Sequence, residues 1–379
     1  MDFNLTKEQI FFKEHVHRTL REVVLPHAAL IDREDRFPRE LFGKLGKLGY
    51  FGIRYPLEIG GMGGDCTSFT ILAEELAKVS ISCAAIVTMQ CLMGTDFIHR
   101  FGNKEQKERL LIPAIAGRKI GTIAFTEPDC GSDLGAMRTR AYREGDGYVL
   151  KGRKLWITSG SVADFVTVAA TVDPSKRLKG IAFFLVEKDT PGFSVGQTID
   201  KMSARGSAAT ELIFDECHIP KENLFGEEGK GVQYLEAILS EIRIMIAGLG
   251  LGLAESAYEA GIRYAKEREA FGKPIGNFQL IQEKIAEMEM RIKSSWLLTY
   301  YAAWLKDNGL AAKKEAATAK LYSTETASYV VDEVTRIYGA YGIAEEYPAE
   351  RYFRDARFLL SGGGTSEILK TTIAKECLK

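Results

Sequence analysis

The sequence predicts an α+β protein laid out in three consecutive parts: helical, then β, then helical. Three observations predict it. Apolar side chains recur at helical spacing up to about residue 118, short β-branched and aromatic runs between Gly, Asp and Pro turns fill 121–214, and long amphipathic segments return after Gly231. Helices and strands that segregate along a chain argue against a doubly wound sheet, in which they would alternate. The boundaries are set at 1–120, 121–230 and 231–379.

In the first part, 7–24, 38–48 and 67–78 carry the helical period, and the turn Gly60-Gly61-Met62-Gly63-Gly64 separates two of them. In the second, 165–168 and 181–186 read as strands. In the third, 282–305 and 311–337 are the clearest helices, and a long pair of this kind suits antiparallel packing and oligomerisation. No internal repeat or low-complexity linker divides the chain, so the parts are expected to pack as one body.

Composition narrows the function. With 379 residues, 46% hydrophobic and 27% charged, the chain can bury a large core, which excludes a disulfide scaffold, a disordered tail and a collagen-like rod. Fifty basic against 51 acidic side chains create no global field for nucleic acid or an anionic membrane. Cys66, Cys83, Cys91, Cys130, Cys217 and Cys377 form no CxxC and, with five scattered histidines, no zinc-type cluster; they read as reduced thiols. The start, MDFNLTKEQIFFKEHVHRTL, is charged where a signal peptide would be apolar, and no apolar run approaches 18 uninterrupted residues. The expectation is a cytoplasmic protein with neither a metal nor a membrane or nucleic-acid partner.

The candidate chemistry begins at Ile123-Ala124-Phe125-Thr126-Glu127-Pro128-Asp129-Cys130-Gly131-Ser132-Asp133, where hydroxyls and bare backbone N–H groups can receive a polar ligand. Alone, this is an ordinary turn. In Lys154-Leu155-Trp156-Ile157-Thr158-Ser159-Gly160, Trp156 and Thr158 are two apart, hence on one strand face, and Trp156 by itself reads as a core tryptophan. Farther on stand Arg268 to Ile275 with Phe278-Gln279, then Gly339-Ala340-Tyr341-Gly342-Ile343, Arg354-Asp355-Ala356-Arg357 and Gly364-Thr365-Ser366-Glu367-Ile368.

Together, in this order and over essentially the whole chain, these motifs closely resemble the acyl-CoA dehydrogenase family. The resemblance implies a homotetramer of three-domain subunits that bind FAD, oxidise an acyl-CoA thioester and pass electrons to an electron-transfer flavoprotein. It further implies that Ile123, Phe125, Thr126, Gly131 and Ser132 line the flavin and its pyrophosphate, with Ser132 also near the thioester. Trp156 would flank the isoalloxazine and Thr158 would bond near its N5. Arg268, Phe271, Gln279, Gly339 and Gly342 would supply adenine and pyrophosphate contacts across a subunit interface, Thr365 and Glu367 would complete the FAD site, and Arg243 would lie near the acyl-CoA. The chemistry is consistent: a hydride-accepting flavin needs donors aimed at its ring, and an arginine fork suits a diphosphate. Gly-Ala-Tyr-Gly and Arg336 depart from the family's Gly-Gly-x-Gly and its preceding glutamine.

The larger departure is catalytic. The family's proton-abstracting glutamate sits two residues before the threonine of the last motif, where this chain has Gly363. Its alternative place, immediately before the arginine matching Arg243, holds Ile242, and Glu241 is about 100° away around a helix. In Met89-Gln90-Cys91-Leu92-Met93-Gly94-Thr95-Asp96, helical spacing puts Asp96 on one apolar face with Met89, Leu92 and Met93, which makes it the candidate base. A base displaced from the α-carbon suits a cyclic 2-enoyl thioester. Removing its γ-proton gives a dienolate that expels a hydride, a 1,4-elimination to a conjugated diene. This combination resembles the cyclohex-1-ene-1-carboxyl-CoA type, and glycines at 362 to 364 are expected to clear volume for a ring. The rival readings are an ordinary short- or branched-chain acyl-CoA dehydrogenase or enoyl-CoA reductase using Glu241 or another base, a flavin oxidase, and a catalytically silent acyl-CoA-binding flavoprotein.

Overall fold

Thr6 starts the first helix because its hydroxyl accepts from the Gln9 N–H while the Gln9 side chain accepts from the Thr6 N–H, a reciprocal cap that satisfies two otherwise unpaired donors. The computed structural model describes residues 4–379, so the first three residues of the charged start lie outside the described residues. The amino-terminal helices are α1 (Lys7–Val23), α2 (Ala28–Glu34), α3 (Arg39–Lys47), α4 (Cys66–Val79), α5 (Ile81–Thr88), α6 (Asp96–Phe101), α7 (Lys104–Gln106) and α8 (Ile112–Ile115). The glycine turn before α4 is required sterically: a Cβ on Gly61 would stand 2.0 Å from the Tyr55 carbonyl oxygen.

Eight strands follow: β1 (Gly121–Ala124), β2 (Arg140–Glu144), β3 (Gly147–Ile157), β4 (Phe165–Thr171), β5 (Ile181–Glu187), β6 (Phe193–Thr198), β7 (Thr210–Ile219) and β8 (Leu224–Phe225). Their order is β6-β7-β3-β2-β4-β5-β8, with β1 parallel to β4. β4 is buried on both faces, and β5 on both except at Glu187, because both faces of the sheet are covered here. Phe165, Ala169, Phe183 and Leu185 pack toward the helical core, whereas Val166, Val168, Ala170, Phe184 and Val186 face the second core of the sheet.

The carboxy-terminal helices are α9 (Gly231–Glu267), α10 (Gln279–Asp307), α11 (Lys313–Tyr338), α12 (Pro348–Ser361) and α13 (Ser366–Cys377), with a small hairpin, β9 (Glu269–Ala270) and β10 (Lys273–Pro274), between α9 and α10. α9 is the spine and packs on α4, α10, α11 and α12. Its glycines permit this: a Cβ on Gly252 would meet the Glu74 carbonyl of α4 at 2.0 Å. The segments Ile81–Phe101 and Gly231–Glu267 are apolar and long enough to cross a membrane, but 94% and 78% of their most apolar windows are buried within the protein, as in core helices. The α, β, α order predicted from the hydrophobic periods is the order observed.

Candidate functional site

The first group of predicted residues gathers where β1 and β3 run into their loops. Leu155 N–H donates to the Thr126 carbonyl (2.8 Å), and Thr122 Oγ1 donates to the Thr158 carbonyl (2.6 Å), which joins the two segments. The hydroxyls of Thr126, Ser132 and Thr158 bond to no other described residue. Phe125 packs edge-on against Phe183 with ring centroids 5.4 Å apart. Ile123 differs from its expected role: its side chain is buried in the core, so only its backbone is available to a ligand.

Trp156 is not the core tryptophan that spacing alone suggests. The β3–β7 register slips between Lys154 and Ile157, Trp156 adopts φ +64°, and the residue is 55% exposed. The irregularity turns the indole outward while Lys154, two residues earlier, stays fully buried. Thr158 lies just beyond the end of β3, so the shared-face argument does not apply to it.

The second group lies at the far end of the carboxy-terminal helices. Arg268 caps α9, and its guanidinium stands 5.8 Å from the Tyr341 ring centroid, which brings the β9–β10 hairpin beside the turn after α11. Phe271, at the hairpin tip with φ +52°, is 95% exposed and meets Phe278 edge-on at 6.0 Å, next to exposed Gln279. Gly339 takes φ +60° to end α11, and a Cβ on Gly342 would collide with the Thr335 carbonyl at 2.4 Å. Arg336 points away, paired with Asp332. Thr365 and Glu367 stand apart from this group, next to the loop around Gly363: Thr365 caps α13, and Glu367 is exposed in its first turn, where the Glu367 backbone N–H and the Thr365 side chain hold its carboxyl below the usual range.

The third group surrounds Gly363. The Arg243 guanidinium is buried, donates from Nε to the Gly363 carbonyl at 3.4 Å, and has no carboxylate partner among the described residues; burial pulls its pKa below the ordinary arginine value. Lys320 Nζ ties down the same loop by donating to the Leu360 and Gly364 carbonyls (3.0 and 2.9 Å), and burial pushes its pKa down to about 8. Gly363 has φ +68°, and a Cβ there would meet Ile246 Cδ1 at 2.7 Å and Ile242 Cγ2 at 3.5 Å. Part of the volume expected from the three glycines is therefore filled by isoleucine.

Both candidate bases are engaged elsewhere. Residues Met89–Met93 form a π-helical turn, Gly94 and Thr95 interrupt the helix, and Asp96 starts α6, so the apolar face inferred from 3 and 4 spacing does not exist. A Cβ on Gly94 would strike the Gly121 carbonyl at 2.3 Å, so only glycine fits at the break. The Asp96 carboxylate is buried between Arg54 Nη1 (3.3 Å) and Arg100 Nε (2.5 Å). Glu241 is neither solvated nor a cap: it pairs with Arg54 Nη2 and stands 3.6 Å from Lys306 Nζ. Burial opposes the Arg54 charge, but Glu241, Tyr55 and Asp96 outweigh it and hold the guanidinium above its ordinary pKa. Arg54 and Lys320 carry no periodic or motif signal, since each acts through partners distant in sequence; Lys154 stands in the motif with Trp156, which alone does not show its buried partner Glu127.

Models of the acyl-CoA dehydrogenase N-terminal, middle and C-terminal domains match residues 6–118, 122–217 and 229–378, and the chain belongs to the acyl-CoA dehydrogenase family, oxidoreductases acting on CH–CH groups. It is 47% identical over 99% of both chains to benzylmalonyl-CoA dehydrogenase of Aromatoleum aromaticum. Butyryl-CoA dehydrogenase from Megasphaera elsdenii superposes with a TM-score of 0.96 at 36% identity, covering 100% of each chain. A chain solved under the description "Electron transferring flavoprotein of Acidaminococcus fermentans: Towards a mechanism of flavin-based electron bifurcation" reaches 0.97 at 37% identity, again covering 100% of each. The cofactor is FAD. The donor set fits it: free hydroxyls at 126, 132 and 158 and an outward-facing indole offer hydrogen bonds and a flat apolar wall to an isoalloxazine.

Proposed function

We propose that this acyl-CoA dehydrogenase oxidises a thioester bearing its own carboxylate on the α-carbon, a substituted malonyl-CoA, with loss of that carboxylate as CO2. The observation that carries the reading is Arg243: a buried guanidinium that donates to the Gly363 carbonyl but has no carboxylate partner among the described residues, beside the position where the family keeps its glutamate. A buried charge without a counter-charge is costly, and a substrate carboxylate supplies one. The 47% identical relative is a benzylmalonyl-CoA dehydrogenase, and a malonyl thioester carries such a group.

The chemistry then needs no protein base. The bond between the α-carbon and the carboxylate breaks, its electron pair enters the thioester enolate and becomes the new α,β double bond, and hydride departs from the β-carbon. FAD, when bound, accepts that hydride. Thr126, Thr158, Trp156, Phe125, Gly131, Ser132 and the Ile123 backbone hold and polarise the flavin. Thr365, Glu367, Arg268, Phe271, Gln279, Gly339 and Gly342 serve the rest of the FAD, the last five from a neighbouring subunit of a homotetramer. Electrons leave through an electron-transfer flavoprotein. The domains divide at 120 and 230, the enzyme works in the cytoplasm, and neither nucleic acid nor a membrane has a part in this reading.

The second reading is 1,4-dehydrogenation of a cyclic enoyl-CoA with Asp96 as base. Burial of the Asp96 carboxylate, and its link through Arg54 to the α9 segment beside Gly363, favours it. Ion pairing of Asp96 to two arginines weighs against it. Anaerobic flavin bleaching separates the two: benzylmalonyl-CoA should bleach the flavin and yield an enoyl-CoA, whereas bleaching by cyclohex-1-ene-1-carboxyl-CoA alone would select the second.

A further inference from the structure

We infer that Lys154 is a positioning residue for the flavin: its buried ion pair with Glu127 brackets Thr126 and holds that hydroxyl at a set place beside Thr158. The inference rests on the roles given above to these two threonines. Lys154 Nζ donates to the Phe125 carbonyl at 3.0 Å and to Glu127 Oε1 at 2.8 Å, so one ammonium grips the residue before Thr126 and the residue after it. Glu127 in turn accepts from the N–H groups of Arg138 (2.6 Å) and Thr139 (3.0 Å), and its backbone exchanges two hydrogen bonds with Cys130. The loop that carries Gly131 and Ser132 is thereby fastened at both ends to one carboxylate. Lys154 is fully buried and Glu127 is 5% exposed.

An apolar side chain at 154 would fill the same core, so bulk alone does not account for the lysine. The ammonium contributes direction: it is reached from β3 on the inner side of the same irregularity that turns Trp156 outward. One strand distortion therefore sets the indole on one face and the clamp on the other. Burial pushes the Lys154 pKa down to about 8 against the pull of Glu127.

The test is FAD titration of apoprotein, with the visible flavin spectrum recorded at saturation, for the native chain, Lys154→Met, Glu127→Gln and the double variant. Lys154→Met should weaken FAD binding by about 10- to 100-fold and change the flavin bands even at saturation, because the Thr126 hydroxyl is no longer fixed. The double variant, which removes the stranded carboxylate, should recover part of that loss. A folded Lys154→Met protein with native affinity and an unaltered spectrum would overturn the inference, provided Thr158→Ala does change the spectrum. If neither changes it, the flavin assignment of the threonines fails instead. Should Lys154→Met not fold, Glu127→Gln alone carries the test, with weaker binding and an altered spectrum expected and native values contradicting it.

Discussion

Replacing Gly363 with alanine tests the local geometry on which the missing-base argument depends. At φ +68° an L-residue costs about 1–2 kcal/mol relative to glycine. The new Cβ would stand 2.7 Å from Ile246 Cδ1, the free end of a buried side chain that can swing aside at a cost of about 1 kcal/mol, the low end for overpacking. The sum is about 2–3 kcal/mol, with the backbone contributing the larger share. Ile246→Val removes that Cδ1 methyl. Alone it should cost about 0.5–1.5 kcal/mol, but in the Gly363→Ala background its cost should fall by up to about 1 kcal/mol, because it relieves the contact. Urea unfolding of the four proteins, with FAD held at one saturating concentration, gives the cycle. A cost for Gly363→Ala under about 0.5 kcal/mol, with no coupling to Ile246, would refute the placement of this loop against α9.

Other predictions follow from the same groups. Gly363→Glu combined with Ile246→Val should introduce oxidation of a saturated acyl-CoA that lacks the second carboxylate; anaerobic turnover with butyryl-CoA checks it, and no gain would mean that position 363 does not face the α-carbon. Arg243→Met should lower kcat/KM for a substituted malonyl-CoA by about 100-fold or more, as expected when one partner of a buried charge pair is removed, and an unchanged value would remove the arginine from substrate recognition. Asp96→Asn should lower stability by removing the carboxylate that pairs with Arg54 and Arg100 while leaving decarboxylating turnover in place; loss of turnover at unchanged FAD content would select Asp96 as base. Asp355, whose Oδ1 accepts from the Ala204 N–H at 2.9 Å, has its pKa pushed up by burial to about 7. In the unfolded chain the same carboxyl loses its proton near pH 4. Between those values the folded protein holds the extra proton, so raising pH from 4 to 7 removes up to about 4 kcal/mol of stability from this group. Asp355→Asn should flatten that dependence in unfolding curves across the window.

The fold was legible because its elements obey simple periods. The stretch 311–337 shows helical spacing and lies within α11 but for its first two residues, and 165–168 and 181–186 are runs of β-branched, aromatic and aliphatic residues because β4 and β5 are covered on both faces. Among the candidate site residues, Gly339 takes positive φ and Thr365 caps a helix, local backbone roles that a motif can mark. The site was illegible where the deciding contact is tertiary. The 3 and 4 spacing puts Asp96 on an apolar face, but a π-helical turn and the interruption at 94 and 95 come first, and its partner Arg54 comes from 42 residues away. Trp156 was misplaced because a register slip against β7 cannot be read from β3 alone. The gap at 363 was visible in the sequence, but the isoleucine that fills part of it was not.

The most direct measurement of the central claim is a single anaerobic turnover with benzylmalonyl-CoA labelled in its free carboxyl group, counting labelled CO2 against flavin reduced. Decarboxylation coupled to hydride loss, with no protein base at position 363, predicts one CO2 for each flavin. Flavin reduced without release of CO2 would show that a proton is being taken from the α-carbon by a base, and would contradict the account.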